Sequence, residues 1–177
     1  MTTIKEDLVQ IATQTVQKSG INSLTIRELG ETVGIKSSSV MYHFKSKDGL
    51  LQELIKSYTE GFVHYLDALN NEYTDKSVRL DKFVDVFESV LKDEKFCLAG
   101  VFASQNKNLD TVTAQKTLDF FEYAQNWIAS NLNDETNSIQ TAGVVISSLE
   151  GAMMLDKLDG TTTRLNSVRQ WIKSLYL

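Results

Sequence analysis

The chain contains no proline. Proline is the commonest interruption of an α-helix, so its absence leaves long helical runs unbroken and predicts an all-α protein. Cysteine is nearly missing too: Cys97 stands alone, which excludes an intrachain disulfide and any site built from several thiolates, and fits a reducing compartment. No apolar run approaches the ~18 residues that a membrane span needs. The start, MTTIKEDLVQ, lacks a basic stretch followed by an apolar one. A cytoplasmic protein with no membrane partner is therefore expected. The two histidines, His43 and His64, lie far apart, and no histidine is near Cys97 in sequence. No catalytic constellation, metal site or cofactor can be read from such a set.

What is present is unevenly charged. Residues 1–49 hold six Lys/Arg and five Asp/Glu, whereas the remainder holds 12 against 18. An acidic body repels a polyanion, so polyanion binding, if the chain has it, must be confined to the N-terminal end. One stretch there, KSSSVMYHFKSK at residues 36–47, has three lysines and no acid.

Apolar residues recur at helical spacing throughout. Ile4, Leu8, Ile11, Ala12 and Val16 predict a first helix that stops at Gly20. Thr25 and Glu28 have capping-box spacing ahead of a short second helix, with Ile26, Leu29 and Val33 as its stripe and Gly34 as its end. Ser37 is positioned to cap a third helix reaching about Phe44, with Val40 and Phe44 facing inward; Ser38, Ser39 and Tyr42 then point outward, flanked by Met41 and His43. Ser46 opens a long fourth helix carrying Leu50, Leu54, Tyr58, Phe62 and Leu69. Further helical patterns follow through Phe83–Leu91, Phe96–Phe102 and a run bearing Leu118, Phe121, Trp127 and Ile128. Two last helices, at about 136–158 and 161–176, are joined at LDG. The total is about nine helices. In the penultimate one Gly143, Ser147 and Gly151 recur every fourth residue, a ridge that permits close helix approach either within the subunit or against another.

Two short helices, a tight glycine-containing turn and a third helix with a polar outer face make a helix-turn-helix, whose second element can enter a major groove. Serine hydroxyls can address base edges or phosphates, Lys36, Lys45 and Lys47 can neutralise phosphates, and Arg27 has bidentate capacity toward guanine. Tyr42 and His43 could also pack against the body of the protein, and Lys45 could be an ordinary solvated lysine.

The arrangement SLTIRELGETVGIKSSSVMYHFKSKDGLLQEL resembles the N-terminal domain of the TetR family of bacterial transcriptional repressors. That family's pattern is T-x-R-x-I/L-A-x-x-x-G-V, a recognition helix ending in Y-x-H-F, then K-S-K-E-x-L. The resemblance covers roughly residues 5–55. It implies a DNA-binding domain at 1–47, a helical ligand-binding and dimerisation domain at 48–177, and a homodimer on a pseudo-palindromic operator in double-stranded DNA, released by a small-molecule effector. It further implies that Thr25 and Arg27 make contacts from the second helix, that Lys36, Ser37, Ser38 and Ser39 read bases, and that His43 and Lys47 hold phosphates. Two departures need noting. Met41 stands where the family has a phosphate-binding tyrosine, with Tyr42 as a substitute, and Gly49 stands where a glutamate would complete the cap begun by Ser46.

In the body, Phe83, Phe87, Phe102, Phe121, Trp127 and Met153 are candidates to line an apolar effector cavity, although periodicity does not separate cavity lining from core. KFCLAGVFASQ resembles a stretch in a TetR subgroup, some of whose members respond to small reactive or unsaturated compounds. Cys97 is accordingly either a sensor or an inert buried hydrophobe. By the same resemblance the last two helices supply dimerisation through Gly143, Ser147, Leu149, Gly151, Leu165, Val168 and Ile172. The competing reading is a helical small-molecule carrier or enzyme of this shape that does not read DNA.

Overall fold

The computed structural model describes residues 3–133 and 136–176; the outermost residues of the two expected domains, Met1, Thr2 and Leu177, lie outside that description. The described residues form nine α-helices and no strand, in agreement with the all-α expectation. In order they are α1 (Ile4–Ser19), α2 (Ile26–Val33), α3 (Ser37–Phe44), α4 (Lys47–Glu72), α5 (Lys76–Lys92), α6 (Leu98–Ser104), α7 (Thr111–Asn131), α8 (Ser138–Asp159) and α9 (Thr163–Ser174). Short 3₁₀ turns occur at Ile21–Ser23 and Asn106–Asn108.

Polar side chains set the helix starts. At α1, Thr3 Oγ1 accepts the Glu6 N–H at 3.2 Å while Glu6 Oε2 accepts the Thr3 N–H at 2.7 Å, a reciprocal capping box. Ser46 Oγ accepts the Gly49 N–H at 2.9 Å ahead of α4, and Asp75 Oδ1 accepts the Ser77 N–H at 2.8 Å at α5. The start of α3 differs from expectation: its N-cap is Lys36, with no side-chain cap bond, and Ser37 is already the first helical residue.

The chain divides into two compact units, residues 1–61 with 98–119 and residues 62–97 with 120–177, so α4 and α7 each contribute to both. The first unit therefore holds residues 48–61 and 98–119 besides the helix-turn-helix. Its core is Leu8, Ala12, Val16, Ile21, Leu24, Leu29, Val40, Phe44, Leu50, Leu51 and Leu54, joined by Leu98, Ala99 and Phe102 of α6, which packs on α1. At ~25 cal/mol per Å² of buried apolar surface, such side chains supply most of the stabilisation.

In the second unit α5, α8 and α9 pack on one another. Arg169 on α9 reaches Asp81, Asp85 and Glu88 of α5 at 2.7, 2.8 and 2.8 Å, and Lys173 reaches Asp81 at 3.1 Å. Those carboxylates recur one turn apart, so α5 meets α9 along an acidic stripe. The hairpin from α8 to α9 hinges on Asp156, which is fully buried. Its carboxylate accepts the backbone N–H groups of Arg164 at 3.1 Å and Leu165 at 2.8 Å, and the Arg164 guanidinium at 3.0 Å. A residue near the end of α8 thus satisfies orphan donors of α9. Burial alone would raise the Asp156 pKa, but the N–H groups of Leu165 and Arg164, the Arg164 side chain and the Thr161 hydroxyl outweigh it and hold the pKa below the usual carboxylate value.

A depressed folded pKa gives stability that is complete above the unfolded carboxylate pKa of ~3.9 and is lost as pH falls through the folded value. Asp156→Asn is therefore expected to cost about 1–3 kcal/mol at neutral pH. In urea melts repeated toward acid pH, the gap between it and the native chain should close. A gap that widens in acid would contradict the role of the ionised carboxylate.

Candidate nucleic-acid interface

Thr25 caps α2, its Oγ1 accepting the Glu28 N–H at 3.2 Å. The rest of the expected capping box is replaced: the Glu28 carboxylate receives the Thr25 hydroxyl at 2.7 Å. The helix stops at Gly34, whose left-handed φ of 75° is one that glycine adopts without steric cost. The Ile35 N–H then returns to the Gly30 carbonyl at 2.9 Å, and α3 begins two residues later.

Val40 and Phe44 anchor α3, at 0% and 5% exposure. On the other side Ser38, Ser39 and Met41 are exposed and Tyr42 is 82% exposed, while Ser37 and His43 are half-buried. The Tyr42 and His43 rings meet edge-on at 5.7 Å between centroids. Ser38, Ser39, Tyr42 and His43, with Ile4 and Ile35, line an open depression of about 490 Å³. Lys36 and Lys45 are exposed at either end of α3. Arg27 is 77% exposed and reaches Glu31 at 3.7 Å. Such a surface pair is worth only ~0.3–0.5 kcal/mol, so the guanidinium is cheaply released to a phosphate or base.

Lys47 is engaged within the protein: its ammonium donates to the Ile21 carbonyl at 3.1 Å. The Ile21 N–H donates to Gln105 Oε1 at 3.0 Å, 84 residues away in sequence. Both backbone groups of one residue in the α1–α2 connection are thus held by side chains from elsewhere. Sequence reasoning missed Gln105, because nothing local marks it. The α3–α4 corner is strained: Lys45 has φ 68°, and the Ser46 N–H donates to the Phe44 carbonyl at 2.8 Å, a γ-turn. A Cβ at Gly49 would lie 2.1 Å from that carbonyl oxygen. The glutamate expected there does not fit, and the Gly49 N–H alone completes the Ser46 cap.

Of the effector candidates, Phe83, Phe87, Trp127 and Met153 are buried and Phe121 half-buried in the second unit, and Phe102 is buried in the first. Phe83 contacts Phe87 and Trp127 at 5.6 and 5.5 Å between ring centroids, and also Phe62 at 6.1 Å, which the sequence reading had only as a stripe residue of the fourth helix. Cys97 is buried and hydrogen-bonds the Glu150 carboxyl. Burial pushes the Glu150 pKa up to about 7, with the thiol opposing the shift.

Three expected dimerisation residues need correction. Leu149, Leu165 and Ile172 are at 0%, 0% and 2% exposure, committed to the core of their own unit, and have no surface to offer another copy. Val168 and Gly151 are half-buried and Ser147 is exposed; a Cβ at Gly143 would lie 3.1 Å from Gln125 of α7. The exposed large apolar residues of α8 are Ile139, Val144, Met154, Leu155 and Leu158, 46–84% exposed, with Trp171 on α9 at 36%. No membrane-crossing candidate exists among the described residues, since no helix there is long and apolar enough.

A helix-turn-helix with an acid-free outer face, on an all-helical chain, is the architecture of DNA-binding regulators. The family model for "Bacterial regulatory proteins, tetR family" matches residues 8–54. The HTH-type transcriptional repressor KstR2 of Mycolicibacterium smegmatis is 25% identical over 87 residues, 49% of this chain and 42% of that protein. The probable HTH-type transcriptional regulator YttP of Bacillus subtilis is 17% identical over 131 residues, 74% of this chain and 63% of that protein. The chain thus spans less than two thirds of these curated relatives. Among solved structures, a TetR transcriptional regulator from Legionella pneumophila superposes with a TM-score of 0.93 at 28% identity, covering 98% of this chain and 97% of that one. A TetR-family regulator from Agrobacterium tumefaciens, at 19% identity and TM-score 0.88 over 96% and 95% of the two chains, shares the fold. Over residues 8–54 the chain is thus similar to the TetR family of bacterial regulatory proteins, and as a whole it shares its fold with solved TetR regulators.

The Ile21 clamp yields a prediction. Gln105→Ala should cost about 1 kcal/mol of stability and weaken DNA binding severalfold without changing its salt dependence. Lys47→Ala, if Lys47 also meets a phosphate, should reduce the salt slope by about 1. Fluorescence anisotropy over a salt series distinguishes the two, and a changed slope in the Gln105 variant would refute its purely positioning role.

Proposed function

We propose that this regulator is a repressor that binds a pseudo-palindromic operator as a homodimer and leaves it when a small molecule enters the helical body. The carrying observation is the outer face of α3: Ser38, Ser39 and Tyr42 stand exposed with Lys36 and Lys45 at the ends, on a chain otherwise acidic. Within this reading residues 1–47 read DNA and residues 48–177 bind the effector and dimerise. Lys36, Ser37, Ser38 and Ser39 address bases, Thr25 and Arg27 contribute from α2, and Tyr42, His43 and Lys47 approach the backbone. The exposed Tyr42 phenol takes the place of the tyrosine that Met41 displaces.

Dimerisation is supported by the apolar residues that α8 leaves uncovered. Val144, Ser147, Gly151, Met154, Leu155 and Leu158 follow at steps of three, four, three, one and three, a seam for packing against a second helix. A twofold pair of α8–α9 hairpins would bury it in a four-helix bundle and set two recognition helices about one DNA turn apart or more. This reading moves the seam from Leu149, Leu165 and Ile172 to the exposed side of the same hairpin.

Two measurements test the proposal. In gel shifts with DNA flanking its own gene, binding should be in the nanomolar range at moderate salt and fall steeply as salt rises. Arg27→Ala should relax discrimination among sites by about 1–3 kcal/mol. Absence of salt-dependent binding would end the DNA-reading hypothesis. Separately, Leu158→Asp together with Val144→Asp should convert a dimer to monomers in sedimentation velocity while leaving the helical content unchanged; a dimer that persists would place the interface elsewhere.

A further inference from the structure

Among the described residues of the second unit, one buried side-chain oxygen has no hydrogen-bond partner. Glu150 lies on α8, and its buried Oε1 meets no hydrogen-bond donor among the described residues. The carboxyl has the Cys97 thiol as a partner, and a thiol is a weak donor. One turn away on either side along α8 are Ile146 and Met153, at 7% and 1% exposure, which offer no polar group. Buried carboxyl oxygens are almost always satisfied, because leaving one without a partner forfeits its hydration for nothing. Asp156, six residues further along the same helix, shows the contrast: its two oxygens are met by backbone N–H groups, a guanidinium and a hydroxyl. Structural duty explains Asp156 fully. It explains nothing about Glu150, whose replacement by a leucine packing alone would favour.

We propose that Glu150 is the polar anchor of the effector site and that the effector is a small, largely apolar molecule bearing an amine. This inference rests on the ligand-responsive reading given above. An ammonium or N–H would complete the unmatched oxygen with a charge-assisted bond, and the apolar flank of Ile146 and Met153 would take the hydrocarbon part. The near-neutral pKa that burial gives Glu150 suits this role, since an arriving cation converts the carboxyl to the ionised form it disfavours when alone. Specificity follows from sign: a fatty acid of equal length would bring a second carboxylate against the Glu150 carboxyl.

The test uses the full chain, with octylamine and octanoate as matched probes, in calorimetric titration at neutral pH. The native protein should bind octylamine at least ~10-fold more tightly than octanoate, the ratio expected of one charge-assisted bond. Glu150→Gln, which keeps the shape and removes the charge, should bring the two probes within about threefold of each other. Glu150→Asp, which keeps the charge but withdraws it by one methylene, should retain the amine preference at lower affinity; both variants are checked for native thermal melts. No saturable octylamine binding, equal or tighter octanoate binding, or a preference that survives in Glu150→Gln would each overturn the proposal. Gel shifts on the same preparations separate the layers. Salt-dependent DNA binding without an amine preference defeats the Glu150 assignment alone, whereas an amine preference without DNA binding leaves Glu150 as an amine site and defeats the repressor reading.

Discussion

Gly30 leaves no room for a side chain: a Cβ there would stand 2.8 Å from the Ile35 carbonyl oxygen and 3.3 Å from Val40 Cγ2. The second helix and the recognition helix approach each other as closely as backbones allow, and the Ile35 N–H bond to the Gly30 carbonyl locks the approach. Everything that the outer face of α3 presents depends on this contact. With Val40 and Phe44 seated in the core, the 100° step of the helix decides that Ser38, Ser39 and Tyr42 face outward. A wider separation of α2 and α3 would tilt all of them together. The outer face of α3 is thus exposed polar chemistry whose precision comes from an apolar contact behind it.

The same logic of support from behind applies to the charges. An acidic chain gains nothing from lysines on its surface unless acids are kept away from them, and the stretch from Thr32 to Lys47 holds no carboxylate. Glu28 and Glu31, the nearest acids on α2, are engaged by Thr25 and Arg27. Lys47 shows a different division of labour. Its ammonium holds the Ile21 carbonyl, so a residue that resembles a phosphate ligand is also a strut of the α1–α2 connection. That bond ties the start of α4 to the α1–α2 connection.

Much of the N-terminal architecture was legible in the sequence because its signals are local. Thr25 caps, Gly34 ends and Ser46 caps again within a few residues of the helices they govern, and the spacing of Val40 and Phe44 fixes which side of α3 is buried. The start of α3 slipped by one residue because Lys36, with no capping side chain, took the position for which Ser37 is chemically suited. Position 49 misled for another reason: its requirement comes from the Phe44 carbonyl across a strained corner, which no pattern of capping residues reveals. Gln105 was invisible altogether, since its partner lies in a distant part of the chain.

α8 shows where periodicity loses its power. Its apolar residues occupy every side, so the pattern says that the helix has more than one apolar neighbour without saying which residues face which. Leu149 and Val144 are equally hydrophobic in sequence, yet one is sealed in the core and the other is 53% exposed. Of the small-residue ridge, Ser147 is exposed, whereas Gly143 and Gly151 are half-buried. On such a helix the informative residues are the polar ones. Asp156 is buried because it caps α9, whereas Glu150 is half-buried and its enclosed Oε1 has no equivalent reason. An apolar helix tolerates a carboxyl at its inner face only when something compensates it, and on α8 the compensation found among the described residues reaches both oxygens of Asp156 but not Glu150 Oε1.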